Sequence, residues 1–430
     1  MQQFKRLLFS IVIAALLLGG HVRLVTAQER PPTTCGVTTW SQNIAVNAQP
    51  RTVITDLLLD SNDNAIVNGY TIRNDASIVK WFTRKYDASG LQVWEYQHPD
   101  AGRTVLPANV TTESVALDND ENVYVLRLVA GEKSTYAQLT RLAADDGALE
   151  WILDLEKIGG DESTYFNGTR HFIVQEGTVY IYGLLVTLAE TPTSVLAIIR
   201  VSLNGELEAV HQLPLYHWSI APSSKTWAVD SLGNSVVAGL IPSQYGSQGL
   251  TIIKFDADHE LLWERDVPED ILGTNNGEDA IELKIDSRNY IHVIVPFDRQ
   301  DPDLGRINGR TLLNYDPDGN LVWHQDLQYM GAAIYQPQHM EIGLNDDLFV
   351  FDKPYDRGDG APSPIHLLRY DKDGSFLNFV EMPEIPGVAL GLKTSPSGEL
   401  TVWYGREVIE NLVKTYTVTS HISLCGGEKS

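Results

Sequence analysis

Charged side chains are concentrated in two stretches that could bind a ligand through directional ion pairs. The segments FDRQDPDLGRING (297–309) and KPYDRGDGAPS (353–363) both mix arginine with several aspartates. Guanidinium and carboxylate groups form strong hydrogen bonds of defined geometry to ligand groups of opposite charge. The candidate ligand-binding residues are Asp298, Arg299, Arg306, Asp356 and Arg357, with the aromatic residues Trp218 and Tyr335 nearby. The alternative is that these charges only solvate surface loops.

The sequence lacks the short motifs of common catalytic centres. It contains no G-x-S-x-G nucleophile elbow, no H-E-x-x-H zinc helix and no glycine-rich phosphate loop. Four acidic turns look superficially like calcium loops, namely 60–64, 118–122, 316–320 and 371–374. None ends in the glutamate that calcium loops use, and Asp, Asn and Gly are also the residues that tight turns need. No catalytic residue, cofactor or metal ligand is therefore predicted.

Composition restricts the class of protein and its partners. The chain has 430 residues, of which 43% are hydrophobic and 20% charged, enough apolar material for a large core. Its 32 Lys and Arg residues against 56 Asp and Glu residues give a net charge of −24. Such a surface repels phosphate backbones and anionic lipid headgroups, so nucleic acid is excluded as an expected partner. A protein or a glycan is the expected ligand.

The N-terminal 27 residues have the pattern of a secretory signal. Lys5 and Arg6 precede an apolar stretch at 7–20, and Val25-Thr26-Ala27 supplies small residues for cleavage before Gln28. The apolar stretch is shorter than the ~20 residues that cross a bilayer, and no later segment is apolar enough to do so. We expect a secreted, periplasmic or cell-surface protein with no membrane span in the mature chain. A retained signal anchor is the alternative, since Arg23 weakens the cleavage region.

One pattern of two parts recurs about every 55 to 58 residues along the chain. The first part is a short apolar run and a polar turn, found in LLLDSNDNAIVNG (57), VALDNDENVYVLR (115), FIVQEGTVYIYG (172), WAVDSLGNSVVAG (227), LKIDSRNYIHVIV (283), MEIGLNDDLFVFD (340) and LKTSPSGELTVWYG (392). The second part joins two strands through a polar turn, as in KYDASGLQVWEY (85) and NYDPDGNLVWHQ (314). It occurs six times, and its seventh copy is split between 418–427 and 35–44. Periods of this length are typical of solenoids and propellers.

Each repeat contains four short strands with alternating side chains and Gly, Asn or Asp turns, which indicates antiparallel hairpins. We predict an all-β, seven-bladed β-propeller in which 28–430 form a single, monomeric domain. In the first blade the strands are placed near 52–58, 64–71, 77–86 and 91–97. The last blade takes three strands from 388–422 and is closed by an N-terminal strand near 36–45. The two charged segments become long loops of the fifth and sixth blades.

Tryptophan recurs four residues after a turn glycine, as in Gly90 and Trp94, and the indoles are predicted to pack between blades. The segments YDASGLQVW and YDPDGNLVW resemble the tryptophan-docking repeat of quinoprotein dehydrogenases and related outer-membrane assembly propellers. DSLGNSVVAG and DSNDNAIVNG are similar to a bacterial propeller repeat that reads D-x-x-G-N-x-Y-V-x-G. The resemblance implies the fold and transfers no catalytic residue. Quinoprotein dehydrogenases carry a vicinal Cys-Cys and typically eight blades, whereas this chain has no Cys-Cys and seven repeats.

The two cysteines fall at the same turn of the repeat, one near each chain end. Because export places a protein where disulfides persist, we predict a bond between Cys35 and Cys425. Two free thiols are the alternative.

Three functions remain open. The first is an exported, non-catalytic binding or assembly propeller. The second is a carbohydrate-active hydrolase or lyase, which needs two carboxylates at catalytic separation. The third is an oxidoreductase of quinoprotein type.

Overall fold

The structure is a computed structural model. It describes residues 37–44, 51–62, 64–72, 78–87, 89–99, 115–130, 135–156, 158, 164–187, 193–213, 225–242, 248–273, 282–301, 305–327, 336–343, 345–353, 365–382, 388–394, 400–408 and 413–423.

The described residues form four-stranded antiparallel sheets, preceded by strand β1 (Val37–Ile44). Sheet 1 contains β2 (Arg51–Leu59), β3 (Ala65–Ile72), β4 (Ile78–Tyr86) and β5 (Gln92–His98). Sheet 2 contains β6 (Val115–Leu117), β7 (Val123–Ala130), β8 (Thr135–Leu142) and β9 (Leu149–Asp154). Sheet 3 contains β10 (Thr164–Gln175), β11 (Thr178–Thr187), β12 (Thr193–Ser202) and β13 (Leu207–Gln212).

The same order continues in the second half of the chain. Sheet 4 contains β14 (Trp227–Val229), β15 (Ser235–Pro242), β16 (Gln248–Phe255) and β17 (Leu261–Asp266), followed by the short helix α1 (Glu269–Leu272). Sheet 5 contains β18 (Glu282–Ile285), β19 (Ile291–Asp301), β20 (Gly305–Tyr315) and β21 (Leu321–Asp326). Sheet 6 contains β22 (Gln336–Ile342), β23 (Leu348–Lys353), β24 (Ile365–Tyr370) and β25 (Phe376–Met382). The terminal sheet contains β26 (Val388–Thr394), β27 (Leu400–Val408) and β28 (Val413–Ser423), and β28 pairs with β1.

The first strands of successive sheets lie side by side. β2 contacts β6, β6 contacts β10, and the series continues through β14, β18, β22 and β26. β26 also contacts β2. Sheets whose first strands gather around a common centre are the blades of a β-propeller, so the predicted all-β propeller fold is confirmed. The strands of sheet 1 begin and end within one residue of the predicted positions.

The hydrophobic core lies between the faces of neighbouring sheets. Between sheets 4 and 5, for example, Ile252 and Leu313 are fully buried in one cluster with Val293. The last strand of a sheet is much more exposed, because only its side chains toward the next sheet are covered. Alternating apolar residues therefore bury the first three strands of a sheet and leave the fourth as its outer edge.

The segment 297–309 differs from the prediction of a long loop. β19 runs to Asp301 and β20 begins at Gly305, so most of this segment is a hairpin in regular register, with Phe297 opposite Gly309. Phe297 is 2% exposed, and its ring covers the face of Gly309, which has no side chain to obstruct it. Packing of this ring on the facing glycine extends the strands beyond the length typical of the repeat.

In the part of the chain that the structure describes, no helix has the length and apolar character needed to cross a bilayer.

Candidate functional site

The described residues of the predicted loop site contact the protein itself. Arg299 forms an ion pair with Asp326 and donates from Nη1 to the carbonyl of Ile271 at 2.8 Å. Its guanidinium also lies 4.5 Å from the centre of the Phe297 ring. Arg299 thus ties the extended hairpin to helix α1 and to β21, which is a structural use of its charge.

Asp298 and Arg306 form an ion pair across the same hairpin, with Nε donating to Oδ1 at 2.8 Å. The hydrogen bond from Arg306 holds the pKa of Asp298 below its ordinary value. The side chain of Arg306 is 63% exposed, so this pair lies at the surface. The remaining residues proposed from the sequence lie outside the described residues: Trp218, Tyr335, Asp356, Arg357, Cys35 and Cys425.

The repeated tryptophans join neighbouring sheets. A Cβ placed on Gly147 of sheet 2 would lie 2.6 Å from the indole of Trp94 in sheet 1, so the ring packs directly on the glycine. The same contact joins Trp151 to Gly205. Trp94 also donates from Nε1 to the carbonyl of Ala144 at 3.2 Å. Equivalent contacts join Trp263 to Gly319 and Trp323 to Gly374. The predicted packing role is confirmed at these four positions.

The acidic turns are held by their own aspartates. Oδ1 of Asp60 accepts the backbone N–H groups of Asn62 and Asn64, both at 2.9 Å, and Asp118 repeats the arrangement in sheet 2. Burial alone would raise the pKa of Asp60, but bonds from Lys85 and Asn64 outweigh it and lower the pKa. The turn-forming role that the sequence predicts for these aspartates is confirmed.

A cavity of about 310 Å³ lies among the first strands of six sheets. Its described lining combines apolar, aromatic and cationic residues: Leu58, Val115, Ala116, His171, Phe172, Ile173, Val174, Gln175, Lys225, Trp227, Ala228, Val229, Glu282, Leu283, Lys284, Ile285 and Lys393. Three lysines face a single glutamate within this lining.

One position of each repeat determines which apolar and charged side chains line the cavity. This layer, which we call the channel layer, is the second residue of each apolar run that opens a repeat: Leu58, Ala116, Ile173, Ala228, Lys284, Glu341 and Lys393. Each member pairs in the same register with the second strand of its own sheet. Sheets 1 to 4 thus contribute apolar side chains, and sheets 5, 6 and the terminal sheet contribute Lys, Glu and Lys. All members except Glu341 line the cavity.

Ion pairs hold charged members of the channel layer in place. Nζ of Lys284 lies 3.7 Å from Oε1 of Glu282 and 3.3 Å from Oε2 of Glu341. Glu282 also accepts the backbone N–H of Met340 at 2.6 Å, which joins sheet 5 to sheet 6. Lys225 donates to Nδ1 of His339 at 2.5 Å.

The indole of Trp227 is buried in the core between sheets 3 and 4 and is not exposed to the cavity. Trp227 is 1% exposed and stacks on Tyr182, with ring centres 5.3 Å apart and planes 12° from parallel. Among the described residues its Nε1–H has no hydrogen-bond partner.

Sequence reasoning missed this cavity, although its signal was in the repeat. Aligning the seven apolar runs shows LLLD, VALD and WAVD beside LKID, MEIG and LKTS. A charged residue at a position that is apolar in other repeats marks a site where the side chain leaves the core.

No protein-family model matches the chain, and no curated protein matches it. Among solved structures, the Dos1 propeller is 12% identical with a TM-score of 0.44, and the match covers 85% of this chain and 78% of that chain. The polysaccharide lyase Uly1 is 10% identical with a TM-score of 0.49, covering 85% and 89%. The β-propeller domain of the Trilobed protease from Pyrococcus furiosus is 10% identical with a TM-score of 0.48, covering 85% and 93%. These values are too low to transfer a function.

Proposed function

We propose that this chain is an exported, non-catalytic binding propeller that holds a small ligand in the cavity at the centre of its sheets. The observation that carries the proposal is the channel layer, of which four apolar members together with Lys284 and Lys393 line a cavity of about 310 Å³. Small-molecule sites are concave, mostly apolar and equipped with a few polar groups, and their volumes begin near ~300 Å³. The site stands on paired strands, which position side chains more firmly than loops do.

We also propose that the sheets are the seven blades of a closed ring. Two contacts support closure: β1 pairs with β28, and β26 contacts β2. In the first pairing Val37 lies opposite Ser423. This pairing ends two residues from each cysteine in sequence, which supports the proposed disulfide between Cys35 and Cys425. Export rests on the signal pattern of residues 1–27, which lie outside the described residues. We expect the intact mass of the exported product to match a chain that starts at Gln28.

The charged segments of the fifth and sixth blades remain a second candidate surface for a protein or glycan. Within it, the described Asp298, Arg299 and Arg306 contact other parts of the hairpin and its neighbours. The hydrolase or lyase and the quinoprotein-type oxidoreductase also remain hypotheses. At the cavity, the contacts of Glu282 with Lys284 and with Met340 favour a structural use of that carboxylate.

The binding proposal is tested by filling the cavity. A library of neutral and charged small molecules is screened against the purified mature protein by thermal shift, and hits are measured by calorimetry. Ala116→Leu adds bulk to the cavity wall and should abolish binding of the hits. Ala143→Leu, in the turn that follows β8 of the same sheet, is the matched control and should leave binding unchanged. Hits that bind Ala116→Leu as tightly as the parent protein would show that the ligand site lies elsewhere.

A further inference from the structure

Three neighbouring sheets begin their outer strands with exposed apolar side chains. We propose that these side chains form a docking surface for a cationic amphipathic helix of another protein. The surface, which we call the apolar rim, belongs to β17, β21 and β25 and consists of Leu261 and Leu262, Leu321 and Val322, and Phe376 and Leu377. It lies on the fourth strands of sheets 4 to 6, whereas the central cavity lies among the first strands. The apolar rim is therefore a second binding surface, separate from the cavity of the proposed function.

A β-bulge takes one side chain of each outer strand out of the ladder. In β17, Trp263 pairs with Lys254 and Leu261 pairs with Phe255, so Leu262 has no residue opposite it. The same shift of register occurs near the start of the outer strand in each of sheets 1 to 6. β-Bulges are frequent at sheet edges and beside functional sites, where they redirect a side chain.

The residues at the bulge show that the fold does not require an apolar side chain there. In the order of sheets 1 to 6 they are Val93, Glu150, Glu208, Leu262, Val322 and Leu377. Glutamate serves in sheets 2 and 3, whereas sheets 4 to 6 have three apolar side chains in succession, each 46–52% exposed. Leu261 and Phe376, which precede the bulge, are exposed as well. Exposed apolar side chains that lie together mark an interaction surface.

Carboxylates surround the apolar rim. In the three outer strands and the turns before them (256–266, 316–326 and 371–377), exposed carboxylates outnumber exposed Lys and Arg side chains by six to two. The carboxylates are Asp258, Glu260, Glu264, Asp266, Asp318 and Asp373, and the cations are Arg265 and Lys372. Arg265 donates from Nε to the carbonyl of Gly319 at 3.1 Å, so its guanidinium already binds the turn of the next sheet. A partner with Lys or Arg beside its apolar residues is therefore complementary to this surface.

The same charges disfavour other occupants. A second copy of this chain, docked through the same rim, would place carboxylates against carboxylates, and an anionic lipid surface is also repelled. An added β-strand would follow one outer strand, whereas the apolar rim crosses three, and the bulges interrupt the edge that such a strand needs.

An amphipathic helix fits the arrangement, because it carries apolar residues along one side and Lys or Arg beside them. Stacked sheets lie ~10 Å apart, so the rim of three sheets spans at least ~20 Å, the length of about 14 helical residues.

The test uses a synthetic peptide of leucine and lysine, about 18 residues long, with leucines at i, i+3, i+4 and i+7 so that they form one face of a helix. A scrambled peptide of the same composition has the charge without the apolar face. A third peptide keeps the pattern and replaces every lysine with glutamate. Fluorescence anisotropy with the full mature protein measures the affinity of each labelled peptide. The helical Leu-Lys peptide should bind about tenfold more tightly than either of the other two.

Substitutions at the bulge locate the binding surface. Leu262→Gln combined with Val322→Gln removes two apolar side chains without a change of charge and should weaken the helical Leu-Lys peptide about tenfold. The variant should stay folded, since sheets 2 and 3 have glutamate at this position, and circular dichroism checks this. Leu91→Gln combined with Val93→Gln removes two exposed apolar side chains from sheet 1, is the matched control and should bind like the parent.

A second variant tests the charge. Glu260→Gln combined with Asp318→Asn should weaken the helical Leu-Lys peptide about threefold and reduce the dependence of its affinity on salt. Ala116→Leu, which fills the central cavity, should leave peptide binding unchanged. The two binding surfaces can therefore fail or succeed independently.

Four outcomes would overturn the docking surface. The first is no binding of the helical Leu-Lys peptide, or binding no tighter than that of the scrambled or the Leu-Glu peptide. The second is equal binding by the parent and by Leu262→Gln with Val322→Gln. The third is an equal loss in the sheet 1 control. The fourth is self-association in sedimentation velocity, or binding to phosphatidylcholine vesicles, that Leu262→Gln with Val322→Gln abolishes, because a second copy or a lipid surface would then occupy the apolar rim.

Discussion

At the scale of single residues, an indole that packs on a glycine is the recurring contact between sheets. Gly147 leaves room for the ring of Trp94, and the Nε1–H of the same indole reaches the carbonyl of Ala144. The boundary between sheets 3 and 4 departs from this rule. Between sheets 3 and 4, His259 occupies the glycine position of the turn, with φ of 67°, and the ring of His211 stacks on it with centres 4.0 Å apart. Both partners of the contact have changed together, so a stacked imidazole pair replaces the indole and glycine.

Removing one of the indoles that pack on a glycine should destabilise the protein without affecting the ligand site. Trp94 is 6% exposed, and we expect Trp94→Ala to lower the free energy of unfolding by about 3–5 kcal/mol, the range for aromatic truncation in a core. Trp94→Phe keeps most of the ring and loses the bond to Ala144, so its cost should be clearly smaller. Urea denaturation measures both. A loss of ligand binding at unchanged stability would show that the indole is a binding residue.

The imidazole pair makes stability depend on pH. Burial, together with the nearby charges of His211 and Arg200, lowers the pKa of His259 to about 4. Its pKa in the unfolded chain is about 6.5, so the unfolded chain takes up a proton that the folded protein resists. The contribution of neutral His259 to the free energy of unfolding is therefore complete above pH ~6.5. It is lost as the pH falls toward ~4.

His259→Gly restores the residue that other repeats have at this turn, and it should reduce the loss of stability between pH 6.5 and 4. Urea midpoints at several pH values measure the effect. His98 adds to the same pH dependence, because burial and the charge of Arg127 hold its pKa well below the ordinary value. The effect of His259 is thus the difference in pH-dependent stability between the parent protein and His259→Gly. Equal pH dependence in the two proteins would contradict the assignment to His259.

At the scale of elements, the extended hairpin of sheet 5 and helix α1 form one unit. The helix ends at Gly273, whose N–H donates to the carbonyl of Glu269 at 2.6 Å, and Gly273 bridges to Asp298 of β19. Gly273 has a φ of +66°, and a Cβ on it would lie 2.2 Å from the carbonyl oxygen of Asp298. No other residue fits here without moving the two elements apart.

Gly273→Ala should therefore destabilise this unit, by about 1–3 kcal/mol for a strained backbone position. The matched control is Gly249→Ala in β16, where nothing lies within 4 Å of the added carbon and φ is not in the left-handed region. Hydrogen exchange locates the effect, which should appear first in the amides of 269–273 and 297–309. Equal unfolding midpoints for the two variants would show that α1 does not support the hairpin.

The strands and turns could be predicted from the sequence because each repeat carries its own alternation and turn residues. Sheet 1 matches within one residue for this reason. The hairpin at 297–309 could not be predicted in the same way, since it depends on Phe297 covering Gly309 and on Arg299 reaching Asp326 in another strand. These are contacts between elements, and charge composition alone suggested a solvated loop. The cavity depends likewise on sheets that lie far apart in sequence, and only the register across all repeats reveals it.

At the scale of the whole molecule, charge is distributed unevenly. The chain has a net charge of −24, yet lysines exceed carboxylates in the lining of the central cavity. A negative surface repels an anion at long range, and salt screens this repulsion over a Debye length of about 8–10 Å. The overall charge of the chain therefore does not attract anionic ligands toward the protein.

The proposed closure of the ring would involve the whole domain at once. The proposed Cys35–Cys425 bond would close nearly the entire domain into one covalent loop. By the chain-entropy relation a loop of this size contributes at most about 6 kcal/mol, because measured disulfides seldom reach the ideal value. Mass spectrometry of the non-reduced mature protein should find one peptide that links the two cysteines. Alkylation of both cysteines without prior reduction would contradict the bond.

Substitution then separates the bond from the strand pairing beside it. Cys425→Ser and Cys35→Ser should lower the melting temperature equally, and the double variant should be no less stable than either single one, because all three remove the same bond. The β-strand signal in circular dichroism should persist in each, since the hydrogen bonds from Val37 to Ile44 do not require the sulfurs. Additive losses in the double variant would mean that each cysteine stabilises its own strand separately. The ring would then be closed by strand pairing alone.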